Sequence, residues 1–299
     1  MRKNGMLLWR QATPYFLLLP ALIAMFGIVI YPIINAVKMS FTDYILWKPQ
    51  DVKFIGFGNY VQLLQDENFL MSMKNTCIWV FFCLLFQFII GFVVALVLNQ
   101  DFRGRALSRT LILIPWVTPT VLITLMFRWM YDGNYGVLND IFYKLGFISQ
   151  YKAFLSLAET ALPAVITVKV WQGIPFFAIM ILAALQTIPK EMYEAAHVDG
   201  ASKIGTFWTI TLPYVLPTIL ITTLLRTIWI ANDVDIVYMM TGGGPGNSSM
   251  ILSVYTYQLA QKSLNFGMAS AAAILMTLML VILVMVFLRK IRQAEGKFE

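Results

Sequence analysis

The sequence predicts an all-α membrane protein with six transmembrane helices in a single domain over residues 1–299. Three observations carry that expectation. Hydrophobic residues make up 59% of the chain and charged residues only 12%, against about 25% charged in soluble domains, and the mean hydropathy is +0.73. Six separate apolar stretches are each long enough to cross a bilayer. Lysines and arginines gather at alternate connections between them. A chain of 299 residues cannot hide this much apolar surface in aqueous cores, so its solvent is largely lipid.

A helix crosses a hydrocarbon core of about 30 Å with roughly 20 apolar residues. The qualifying stretches are about 15–34, 75–98, 110–131, 160–185, 207–230 and 266–288. Prolines and glycines interrupt several, as at Pro115 and Pro119 in "LIPWVTPT"; such breaks are tolerated where neighbouring helices or a wet cavity satisfy the freed backbone groups. The first stretch is too long and lacks the small-residue cleavage site expected of a signal peptide. Outer loops 35–74 and 132–159 exceed tight turns and are expected to pack as short helices. "TGGGPGNSS", 241–249, reads as a turn-rich loop.

Orientation follows from the basic residues. Arg2, Lys3 and Arg10 precede the first span, Arg103, Arg105 and Arg109 follow the second, and Arg289, Lys290, Arg292 and Lys297 follow the sixth. The opposite loops mix signs. Both termini are therefore expected in the cytoplasm, with the connection between spans four and five on the same side. Cys77 and Cys83 lie inside one apolar run without CxxC spacing and read as buried thiols. The net charge of +7 sits beside the apolar runs rather than in a patch, which argues against nucleic acid as a partner.

One polar stretch stands apart, the loop at about 189–213. Within it "EAAHVDGA" reads as a short helix, because Glu194, Ala195 and Ala196 are good helix formers. Gly200 permits a sharp turn, and "ASKIGTFWTI" resumes a helix into span five. The pattern Glu194-Ala195-Ala196, three residues, Gly200, nine residues, Ile210, one residue, Leu212-Pro213 resembles the EAA motif of permease subunits in binding-protein-dependent ABC importers. The stretches "FIGFGNYVQLL", "FRGRALSRTLILIPWVTPTV", "LLRTIWIANDVDIVYMMTGGGP" and "NFGMASAAA" resemble the carbohydrate branch, that of the maltose, glycerol-phosphate and multiple-sugar systems. The resemblance covers nearly the full length. It implies a cytoplasmic coupling helix between spans four and five, with Glu194, Ala195, Ala196, Asp199, Gly200 and Ala201 docking on an ATPase subunit.

The same resemblance implies the partners: a second permease, two ATPase subunits, an extracytoplasmic solute-binding protein and a carbohydrate, all at a bacterial or archaeal cytoplasmic membrane. No GxxxxGK[ST] motif occurs, so ATP and magnesium are expected on the ATPase chains and no cofactor or metal on this one. A membrane-embedded hydrolase would need a metal cluster, a Ser/His pair or paired aspartates within the spans; the single histidine, His197, is in the loop. A channel or secondary transporter would leave the EAA loop without a role.

Ionisable residues inside spans are costly and mark cavities or partners. Arg128, near the outer end of span three, can snorkel. Lys169 lies near mid-span and Arg226 in the outer half of span five. Around them Trp171, Gln172, Gly173, Phe176, Trp229, Asn232 and Asp233 supply the aromatic faces and polar groups that hold sugars. The family alignment implies solute contacts at Gly173, Phe176, Arg226, Trp229, Ile230 and Asp233. At Arg226 and Asp233 the maltose permease carries uncharged polar residues. Two arrangements remain open for the charges: an Arg226–Asp233 pair two turns apart, or Lys169 paired with Asp233, with Asp235, or with an acidic group on the solute.

Overall fold

The computed structural model describes residues 16–295; Arg2, Lys3, Arg10 and Lys297, on which the orientation partly rests, lie outside them. Among the described residues there is no strand, only isolated bridges of Thr42 with Phe54 and Ile45 with Asn265. The chain divides into two compact units. One takes the residues up to Gln65 together with Gln258–Leu275, and the other takes Asp66–Tyr257 and the residues from Met276 onward.

In the first unit, α1 (Phe16–Ser40) is an apolar helix carrying a π-helical turn at Phe26–Ile30. The turn lies immediately before Pro32, which has no N–H to donate back along the helix. α2 (Gly58–Gln65) follows. Asn59 ties the unit together, its Nδ2 donating to the carbonyls of Ser40 and Thr42 at 2.8 Å each. The Gly267 amide bonds the Tyr44 carbonyl at 2.9 Å, and a Cβ there would overlap the Thr42 carbonyl.

The second unit is built on α3 (Glu67–Asn99) and α7 (Ala158–Leu185), with α9 (Lys203–Ala231) packed on both. α3 shows why the segment is stable in lipid. Its polar Ser72, Asn75, Thr76 and Gln87 are buried, while Phe81, Phe82 and Phe86 are exposed. That is the arrangement of a helix whose solvent is hydrocarbon. Gly91 allows α3 and α7 to approach: a Cβ there would lie 2.6 Å from the Phe177 Cβ and 3.1 Å from the Ala178 amide nitrogen.

Spans one, two, four, five and six correspond to single helices, with ends that differ. The second begins at Glu67 rather than near 75, because the Asp66 carboxylate caps it by accepting from the Asn68 amide at 2.7 Å. The sixth, α12, is a helix over Phe266–Glu295. The third is broken where the sequence places Pro119. It is two helices, α4 (Arg105–Val117) and α5 (Thr120–Met130), bent by 89°. Pro119 keeps Thr118 extended, at φ −68 and ψ 130, and cannot itself carry the helix on. Among the described residues five helices are thus long and apolar enough to cross a membrane, or six if the bent pair forms one span.

The outer loops do contain short helices, α2 in the first and α6 (Val137–Lys144) in the second. Residues 241–249 are turns, with positive φ at Gly242, Gly243, Gly246 and Asn247. Two further helices, α10 (Asp235–Met240) and α11 (Leu252–Gln261), lie between spans five and six.

Candidate functional site

α3, α7 and α9 meet around two cations. Gln87 of α3 is fully buried. Its Nε2 donates to the Lys169 carbonyl at 2.8 Å, and its Oε1 accepts from Arg226 Nη2 at 2.8 Å and Nε at 3.1 Å. The packing depends on Gly173, where a Cβ would overlap both the Gln87 amide and the Arg226 guanidinium. Arg226 is 4% exposed. Its guanidinium carbon lies 5.4 Å from the centre of the Phe176 ring and 6.0 Å from that of Trp229, within cation–π range. Those rings stand 5.2 Å apart, and Trp116 of α4 joins Phe176 at 6.0 Å. Trp116 and Trp229 are both about half exposed. A partly open aromatic surface therefore covers a buried cation.

Lys169 has a different environment. Its Nζ pairs with the Asp233 carboxylate and donates to Gln172 Oε1 at 3.0 Å. Gln172 in turn donates to Thr120 Oγ1 at 3.3 Å. Asp233 is held from the other side, its Oδ1 accepting from the Ile236 amide at 3.3 Å and its carbonyl from Ser253 Oγ at 2.7 Å. Of the two arrangements left open by the sequence, Lys169–Asp233 forms. The Arg226–Asp233 pair does not, and Asp235 opens α10 instead.

The structure brings together Lys169, Gln172 and Asp233 as one cluster, and Gly173, Phe176, Arg226 and Trp229 as its neighbour. The other expected solute residues have separate surroundings. Trp171 packs edge-on against Phe127 at 5.4 Å. Ile230 is fully buried, its carbonyl accepting from the Trp79 indole at 2.9 Å. Asn232 returns its amide to the Ile228 carbonyl at 2.8 Å at the end of α9. Sequence reasoning missed Gln87, Thr120 and Trp116. Gln87 had a usable signal, a lone glutamine inside "CLLFQFII", since polar groups in hydrocarbon need partners.

The second site is the polar hairpin. α8 (Lys190–Val198) begins four residues before Glu194 and has Asp199 as its C-cap. Gly200 follows at φ +76. The Ala201 amide bonds the Ala196 carbonyl at 2.9 Å and the Gly200 amide bonds the His197 carbonyl at 3.1 Å, the paired bonds of a Schellman C-cap. Ser202 then caps the next helix, its hydroxyl accepting from the Gly205 amide at 3.1 Å. Glu194, Ala195, Asp199, Gly200 and Ala201 are exposed and Ala196 is partly so. At the turn Val198 is 85% and Ile204 74% exposed. These are apolar side chains on a polar knob, the composition of a protein contact.

Residues 87–294 match the family described as "binding-protein-dependent transport system inner membrane component". The chain is 38% identical over 279 residues to the sulfoquinovosyl glycerol transport system permease protein SmoG of Agrobacterium fabrum, covering 93% of this chain and 90% of that protein. It is 32% identical to the trehalose/maltose transport system permease protein MalF of Thermococcus litoralis, with 92% of each chain covered. A solved bacterial alginate ABC transporter, in complex with an alginate pentasaccharide-bound periplasmic protein, contains a chain that superposes with a TM-score of 0.79 at 27% identity, covering 94% of this chain and 95% of that one. With the EAA motif and these matches over most of its length, the chain belongs to the inner-membrane components of binding-protein-dependent transport systems.

Proposed function

We propose that this chain is the permease subunit of an ATP-driven importer that takes up a sugar or sugar derivative by alternating access. The observation that carries the reading is the exposed hairpin at α8, Gly200 and the start of α9. It is a rigidly capped knob between two apolar helices, with Val198 and Ile204 facing outward. A soluble ATPase subunit would grip it from the cytoplasm. Closure of two such subunits around ATP and magnesium would be transmitted along α9, which runs from the knob to Arg226 and Trp229. The remaining partners are a second, similar permease completing the path and an extracytoplasmic protein delivering solute. Both termini and the hairpin are cytoplasmic in this reading, and the membrane is a prokaryotic cytoplasmic membrane. The transport roles named for the relatives, for sulfoquinovosyl glycerol, trehalose/maltose and alginate, support a carbohydrate, and the Trp116–Phe176–Trp229 surface suits one.

The test is uptake by the complete importer carrying Gly200→Val or Glu194→Lys. A β-branched residue is disfavoured at φ +76, and the lysine reverses a charge on the exposed knob. Both variants are expected to reach the membrane and yet lose uptake and solute-stimulated ATP hydrolysis. Wild-type uptake in both would remove the hairpin from the coupling path.

A further inference from the structure

The geometry points to Arg226 as a specificity-determining residue that selects sugars bearing an anionic oxyacid group, a carboxylate or a sulfonate. This inference rests on the sugar-import reading above and narrows its substrate class. The argument is one of charge. Among the described residues the ion pairs are Arg105–Asp101, Lys144–Asp140 and Lys169–Asp233. The charge of Lys169 is therefore cancelled inside the protein. Arg226 belongs to none of these pairs. Its partners are the neutral Gln87 amide and the faces of two aromatic rings, so the site as a whole keeps one positive charge.

A buried guanidinium with no counter-charge is unfavourable, because dipoles and ring faces replace only part of its hydration. The hydrogen bonding leaves donors for a completing anion. Gln87 engages Nε and Nη2 and leaves Nη1 without a hydrogen bond to any described residue. Nη1 and the second hydrogen of Nη2 suit the paired oxygens of a carboxylate or sulfonate, and at low dielectric the attraction strongly favours an anion over a hydroxyl. The half-exposed rings of Trp116 and Trp229, with Phe176 between them, lie beside this charge. They offer a stacking face for the sugar whose acidic group reaches Arg226. Gly173 fixes the position of the fork, since any side chain there would displace it.

The test measures uptake by the complete importer over matched probe pairs, each a hexose or disaccharide glycoside and its counterpart with a carboxylate or sulfonate at C6. Wild type is expected to take up an acidic member in preference to its neutral twin. Arg226→Gln should reduce acidic uptake relative to neutral by about 10- to 100-fold, the loss of one charge-assisted hydrogen-bonding interaction. Gln87→Glu gives Arg226 an internal counter-charge at nearly the same side-chain volume, at the cost of the hydrogen bond to the Lys169 carbonyl. It should produce the same loss, and it answers the question if Arg226→Gln fails to insert. Uptake of neutral members alone by wild type overturns the inference and leaves the sugar-import reading intact. Undiminished acidic uptake in both variants also overturns it. Uptake of no member of any pair removes the sugar-import reading, and the inference falls with it.

Discussion

At the scale of the residue, the chain brings two basic residues to the same glutamine, Gln87, and gives their charges opposite treatment. Lys169 is 6% and Arg226 4% exposed, yet only Lys169 has a carboxylate. Removing one member of a buried pair leaves the other uncompensated, at about 3 kcal/mol or more. Lys169→Met is thus expected to lower the thermal unfolding temperature of the detergent-solubilised complex by stranding Asp233. The double variant Lys169→Met/Asp233→Asn should recover much of that loss. A double variant no more stable than Lys169→Met would show that the pair is not coupled as a charge pair. The sequence could name Asp233 as a partner for either cation, because Arg226 lies two helical turns before it and Lys169 has no acidic residue within a turn on its own helix. The choice between them needed the three-helix packing: Gln87 takes the Nε–Nη2 edge of the guanidinium, and Asp233, just past the end of α9, pairs with Lys169 of α7.

At the scale of the element, prolines explain the departures from straight helices. Pro32 and Pro213 each follow a π-helical turn, at Phe26–Ile30 and Phe207–Thr211, where a missing N–H lets the ladder slip by one residue. Pro119 goes further and breaks span three. The start of α3 depends on Asp66, whose carboxylate caps the helix and also accepts from the Tyr255 hydroxyl at 2.7 Å. Burial, reinforced by the neighbouring carboxylate, raises the Tyr255 phenol above its ordinary value of 10.0. A raised folded-state value means that its contribution is fully present below about pH 10 and is lost as pH climbs through the folded value. Tyr255→Phe should therefore melt at a lower temperature at neutral pH and show a shallower decline than wild type above pH 10. An identical alkaline decline in both proteins would assign that loss to other groups.

At the scale of the whole molecule, the proposed import role assigns each connection to one side of the membrane. Alternation of Arg103, Arg105 and Arg109 with mixed-sign loops is the basis of the proposed orientation, and the hairpin has a coupling role only if it faces the cytoplasm. Topology reporters fused at Gln150 and Asn247 are expected to report outside, and one at Ser202 inside. A cytoplasmic Gln150 would mean that the bent pair α4–α5 re-enters rather than crosses, which an 89° break makes the point to examine.

The sequence by itself determined the solvent, the approximate spans and the hairpin. Each is a local property: apolar run length, helix-forming residues, and a glycine placed where the backbone must turn left-handed, as Gly200 does at φ +76. It also marked Lys169 and Arg226 as anomalous, because a charge in an apolar run is visible without coordinates. Only the tertiary structure decided which anomaly is neutralised and which is not. Gln87 and Arg226 are 139 residues apart in the chain and Lys169 and Asp233 are 64 apart, and no periodicity links residues on different helices. The close approach of α3 and α7 at Gly91 and Gly173, where neither glycine can carry a Cβ, sets those pairings. One cation is thereby cancelled, and the other is left beneath an open aromatic surface.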